Sequence, residues 1–155
     1  MIFFLKQKKL IRGAEAHVKA GLGSGADYEA KYVELYAPCD GEVETWQGKQ
    51  GGNWLRITRP NGDKLEFAHL DRYISSAPFS CKEGDLIAIT GNTGEVTDFP
   101  HCHVQIFVDG KRVDPEKYFD GIEPKVEPKE KIKSDIRQDN AFSLLVIADD
   151  ELEQS

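Results

Sequence analysis

From residue 12 to about residue 119, short apolar runs are cut by Gly, Pro, Asn and Asp at regular spacing, and this punctuation most constrains what the chain can fold into. Runs this short, each closed by a turn former, suit half-buried strands, and no long amphipathic helix is visible among them. Candidate strands are 33–36, 41–46, 54–59, 64–70, 86–90 and 103–108. Asn61-Gly62 stands between Leu55-Arg-Ile-Thr58 and Leu65-Glu-Phe-Ala68. That is a hairpin signal, because Asn-Gly readily takes the left-handed conformation a tight turn needs. Asp109-Gly110 before Lys111-Arg-Val113 is a second. The expectation is an all-β domain over 12–121, with 1–11 as an N-terminal segment and 122–155 as a charged linker and short tail.

A chain of 155 residues is about one domain and can bury a real core. Its formal net charge of −7 offers no basic excess to neutralise phosphates, so a nucleic-acid partner is not expected. Cys39, Cys81 and Cys102 form no Cys-x-x-Cys pair, which disfavours a thiolate zinc knuckle, a redox motif or a disulfide framework. Buried small hydrophobes are the better reading of all three. Met1-Ile-Phe-Phe-Leu5 is too short for a signal peptide or a membrane span, and its lysines follow it rather than precede it. Beyond Phe119, the alternating charges and prolines of 123–133 fit an extended, flexible linker. The apolar run 141–148 is too short to span a membrane; it could dock on the domain, pair with a sheet edge or bind a protein partner.

The chemistry concentrates in Pro100-His101-Cys102-His103, which holds two of the four histidines. In a strand, successive side chains point to opposite faces, so His101 and His103 share a face and Cys102 takes the other. Paired imidazoles suit a metal site, an acid/base site, or both. A third histidine, His69 in Phe67-Ala-His69-Leu70, is set in a strand whose neighbours are apolar. Asp71 beside it could orient it, though a solvated strand end is the simpler reading. Trp46, Trp54, Tyr32 and Tyr36 could line a groove or serve as core and cross-strand packing.

Four patterns occur in order: His17-Val-Lys-Ala-Gly-Leu-Gly-Ser-Gly-Ala-Asp27, Ala37-Pro-Cys-Asp-Gly41-Glu-Val43, Ala68-His69-Leu70, and Gly91-Asn-Thr-Gly94 followed by Pro100-His101-Cys102-His103. The ordered set resembles the lysostaphin-like, or LytM-type, zinc endopeptidases that hydrolyse peptidoglycan, over roughly residues 17 to 119. The resemblance implies antiparallel, sandwich-like β-sheets around a narrow groove with Zn2+ on its floor. It also implies Asp27 and His103 as metal ligands, His69 and His101 as catalytic histidines, and peptides of bacterial peptidoglycan as substrate. Loops 47–53 and 75–80 would set specificity.

One position departs from the family pattern. The first ligand is expected four residues before Asp27, where this chain has Gly23, and glycine has no side chain to ligate a metal. Either the domain is a catalytically inactive binding or regulatory module, or the Gly21–Gly25 stretch enlarges the loop and His17 takes the first position. The second is preferred, because a glycine-rich insert can fold back and let its ends meet. The strand and Gly-Asp pattern of Glu83-Gly-Asp-Leu-Ile87 also occurs in biotinyl and lipoyl carrier domains, but no lysine flanked by hairpin signals accompanies it.

Overall fold

The computed structural model describes residues 1–124, so the expected tail, including the apolar run 141–148, lies almost wholly outside the described residues. The elements follow in the order β1 (Leu10–Arg12), α1 (Ala14–Lys19), β2 (Ala26–Tyr28), β3 (Glu34–Tyr36), β4 (Gly41–Gly48), β5 (Gly52–Thr58) and β6 (Lys64–Tyr73). Then come β7 (Phe79–Cys81), β8 (Leu86–Thr90), β9 (Cys102–Val108), β10 (Lys111–Val113) and α2 (Pro115–Tyr118). All pairings are antiparallel. The fold is therefore the expected all-β class, and each of the six anticipated strands is present within a few residues of its expected bounds. Strands β1, β2, β7 and β10 are three residues each, too short for a periodic pattern to reveal them.

The sheet runs β1-β2-β9-β6-β5-β4-β7, with β10 on β9 and β3 on β8. Strand β6 is its hinge. Its first half pairs with β5 and β9, and its end, from Leu70 to Tyr73, pairs with β8. Both hairpin signals are realised: Gly62 donates to the Arg59 carbonyl at 2.8 Å, and Asp109 and Gly110 both take positive φ, 52° and 77°.

Alternation sorts the central strands into two faces. Leu55, Ile57, Leu65, Phe67, Val104 and Ile106 are fully buried on the core side. Cys102 joins them, as its position beside His103 predicts, and Cys39, Cys81 and Cys102 are all buried free thiols. Tyr36 is core while Tyr32 is exposed. The opening segment belongs to this core as well. Phe3 and Phe4 are fully buried, and Phe4 packs on Phe67 with ring centroids 4.9 Å apart. Each such aromatic contributes on the order of 2–3 kcal/mol by leaving water. Lys8 Nζ ties the opening segment to the turn after α2, donating to the carbonyls of Phe119 at 3.2 Å and Ile122 at 2.6 Å.

Candidate metal centre

Asp27 stands at the middle of the site. Register pairs it with His103 across β2 and β9, and His103 in turn pairs with Ala68 on β6. Asp27 Oδ1 lies 2.9 Å from His103 Nδ1 and 3.6 Å from His101 Nε2. Its other oxygen, Oδ2, lies 3.3 Å from His17 Nε2. Burial works to raise the Asp27 carboxyl, but the hydrogen bond with His103 and the surrounding imidazoles outweigh it and hold the group below its ordinary value.

His17 reaches this point from α1, a helix of six residues that the sequence did not announce. The turn after it carries Gly21 and Gly23 at φ +78° and +77°, bringing the chain back to β2. His17 is 2% exposed, and its Nδ1–H donates to the Gly13 carbonyl at 2.8 Å, leaving Nε2 toward Asp27. Gly23, by contrast, faces the Arg112 guanidinium. A Cβ at Gly25 would stand 2.7 Å from His103 Cε1, so only glycine permits this approach of β2 to the ring.

His69 enters by a break in the strand rule. Ala68 sits on the groove face opposite His103, so simple alternation would turn His69 into the core. Instead, Leu55 pairs with Phe67 and Asn53 with Leu70, leaving Ala68 and His69 together across from Trp54. This is a bulge, and His69 occupies it at φ +64°. The left-handed residue reverses the alternation: Leu70 becomes core and His69 turns to the groove. Thr93 of the Gly-Asn-Thr-Gly segment holds the break in place. Its hydroxyl donates to the Leu70 carbonyl at 2.7 Å and accepts from Asn53 N at 3.0 Å, while its carbonyl accepts from His69 Nδ1 at 2.7 Å. Burial depresses the His69 imidazole, and the bond to Thr93 opposes this only in part.

His101 precedes β9 and bridges Gly91. Its Nδ1–H donates to the Phe99 carbonyl at 2.8 Å, which again leaves Nε2 for the site. The rings of His69 and His101 are 4.8 Å apart by centroid. All five anticipated residues, His17, Asp27, His69, His101 and His103, thus line one groove.

The donor set fits a metal. One ligand atom from each of His17, Asp27 and His103 lies within 4.8 Å of the others. Two imidazoles and a carboxylate are the kind of three-ligand set that catalytic zinc uses. His69 and His101 stand beside that triangle.

The groove also holds Arg12, Gln50, Gly51, Trp54 and Gln105, of which Arg12 and Gln105 had not been singled out. Gln105 had a faint signal, lying two residues past His103 and hence on its face. Of the anticipated specificity loops, 47–53 reaches the groove, while Ala77 and Pro78 of 75–80 border a separate depression beside Trp46. Trp46 and Trp54 are a cross-strand pair stacked at 5.4 Å, and Trp54 also lines the groove. Asp71 pairs with Arg72 at 3.8 Å.

Residues 21–115 match the model of Peptidase family M23. The chain belongs to that family, and its fold is the one shared by the family's solved peptidases. Peptidoglycan DD-endopeptidase ShyC of Vibrio cholerae is 33% identical over 93 residues, 59% of this chain and 21% of that protein. The structure of LytU superposes with a TM-score of 0.56 at 31% identity, covering 63% of this chain and 72% of that one. A zinc-containing peptidase from Vibrio cholerae shares the fold at TM-score 0.60 and 24% identity, over 72% of this chain and 39% of that chain. The chain spans about a fifth of the length of the curated relatives it matches. The family match begins after His17, so the placement of His17 stands on geometry alone.

Proposed function

We propose that this chain is a zinc-dependent endopeptidase that hydrolyses peptide bonds of bacterial peptidoglycan. The observation that carries the reading is the convergence of His17, Asp27 and His103 donor atoms within 4.8 Å beside two further histidines. Peptidoglycan enters from ShyC and ShyB, both named as peptidoglycan DD-endopeptidases.

In this reading His17 Nε2, Asp27 and His103 Nδ1 hold the ion. Zinc bound there supplies Lewis acidity at neutral pH. The chain's own groups do the rest. His69 and His101 each have Nδ1–H committed to a main-chain carbonyl, so each offers Nε2 to take a proton from the attacking water or to give one to the substrate. The Thr93 and Phe99 carbonyls fix both rings before substrate arrives, which lowers the cost of orientation. Gln50, Gly51 and Trp54 wall one side of the groove.

The inactive-module alternative depends on a missing first ligand. His17 supports the active reading because it brings a third donor to the position that Gly23 leaves without one. The test is metal analysis of the purified full chain together with digestion of purified peptidoglycan. Stoichiometric zinc and release of cleaved peptides are expected, with both lost in His103→Ala. Absence of zinc at micromolar supply overturns the enzyme reading. Unchanged zinc binding by His17→Ala overturns only the His17 assignment.

A further inference from the structure

His103 is held differently from the other three histidines. His17, His69 and His101 each donate Nδ1–H to a main-chain carbonyl and turn Nε2 inward. His103 turns Nδ1 inward to Asp27, and its Nε2 lies 3.1 Å from Gln105 Oε1. A primary amide can present either end, so what stands beyond Gln105 decides which one His103 meets. Gln105 Nε2 donates to Glu66 Oε1 at 2.9 Å, and Glu66 is 4% exposed. The other oxygen of Glu66 accepts from Arg56 Nε at 2.8 Å, and Arg56 Nη1 donates to Glu44 at 3.1 Å.

The direction of the chain follows from donor and acceptor chemistry. Both Glu66 oxygens are acceptors, so the amide nitrogen of Gln105 must face Glu66 and its carbonyl must face His103. A carbonyl cannot donate. His103 Nε2 therefore carries a proton in this contact, and Nδ1 is the nitrogen that faces Asp27, to which it donates while no ion is bound. Register builds the line: Glu44 pairs with Arg56, Arg56 with Glu66, and Glu66 with Gln105, straight across four strands.

We propose that Gln105 is a positioning residue, which, oriented by Glu66 and Arg56, fixes the proton on His103 Nε2 and so presents Nδ1 as the metal-ligating atom. The inference rests on the reading of His103 as a ligand given above. Outer hydrogen bonds of this kind orient metal-bound histidines, and their loss commonly weakens metal affinity about 10- to 100-fold.

Glu66→Gln is the sharpest test because it keeps volume while it removes the charge and replaces one acceptor oxygen with a donor. Glutamine has one carbonyl, which Arg56 claims, so the new amide nitrogen turns to Gln105, flips it, and sets an N–H donor against His103 Nε2. Nitrogen NMR of the full chain in metal-free and zinc-loaded forms reads that atom directly, and chelator competition reads zinc affinity. In the wild type, His103 Nε2 is expected to be protonated in both forms. In metal-free Glu66→Gln it is expected to lose that proton, with zinc affinity about 10-fold weaker, and Gln105→Leu is expected to weaken it by about 10- to 100-fold. An unprotonated Nε2 in the wild type, or wild-type zinc affinity in both variants, overturns the proposal. A wild type that takes up no zinc defeats the metal reading, while the state of Nε2 still decides the relay.

Discussion

Strands β6 and β9 carry two faces with opposite rules. Leu65, Phe67, Val104 and Ile106 are fully buried in the core, where stabilisation is proportional to area and has no direction. One residue over, Glu66, His103 and Gln105 form a line in which every polar atom is matched to a particular partner. Cys102 and His103 are chain neighbours on opposite sides of this divide. The core face should tolerate changes that keep volume, whereas the groove face should tolerate only changes that keep the sense of each donor and acceptor.

Removal of a proposed ligand should separate the faces most sharply. His103→Ala is expected to abolish zinc binding and to reduce peptidoglycan cleavage by about 10³-fold or more, as exhaustive chelation should in the wild type, with the melting curve of the metal-free protein little changed. A metal-free melting temperature that collapses in His103→Ala would show that the groove face carries the fold too. Phe67→Ala should do the reverse, costing about 3–5 kcal/mol in denaturant unfolding through the cavity it leaves between Phe4 and the β5 core. If that variant instead keeps its stability and loses zinc, the division between faces is wrong.

His69→Ala makes a finer cut within the groove. Zinc uptake should persist while kcat falls about 10²- to 10⁴-fold, the range for a lost general acid or base. Loss of zinc in this variant would place His69 among the ligands. The smallest effect is expected from Ile106→Val, about 0.5–1.5 kcal/mol of stability with zinc affinity and kcat unchanged. Any shift in zinc affinity there would mean that core packing sets the ligand geometry.

Much of this was legible in the residues. Turn formers marked the six main strands, Asn61-Gly62 and Asp109-Gly110 marked two hairpins, and period-two alternation put Cys102 inward and His103 toward the groove. The Gly-Asn-Thr-Gly and His-x-His segments pointed to the family. Three things were hidden, each for a physical reason. Phe3 and Phe4 are separated by charges from the periodic region, and only the packing against Phe67 and Phe119 shows them as core. Glu66 looked like any charged residue on a strand, because its burial depends on Gln105 and Arg56 arriving from other strands. His69 defied alternation, because the bulge is held by Thr93, 24 residues further on.

The sequence by itself determined what neighbours in the chain can settle: where strands begin and stop, which residues share a face, and which residue types stand ready to bind a metal. Those follow from backbone geometry over a few residues. Tertiary structure alone decided that His17 rather than Gly23 reaches Asp27, that a left-handed residue swings His69 into the groove, and that His103 presents Nδ1 while its companions present Nε2. These outcomes depend on contacts between segments that are distant in sequence, with 76 positions separating Asp27 from His103, and a shift of one residue in the register of β9 against β2 would turn His103 to the opposite face.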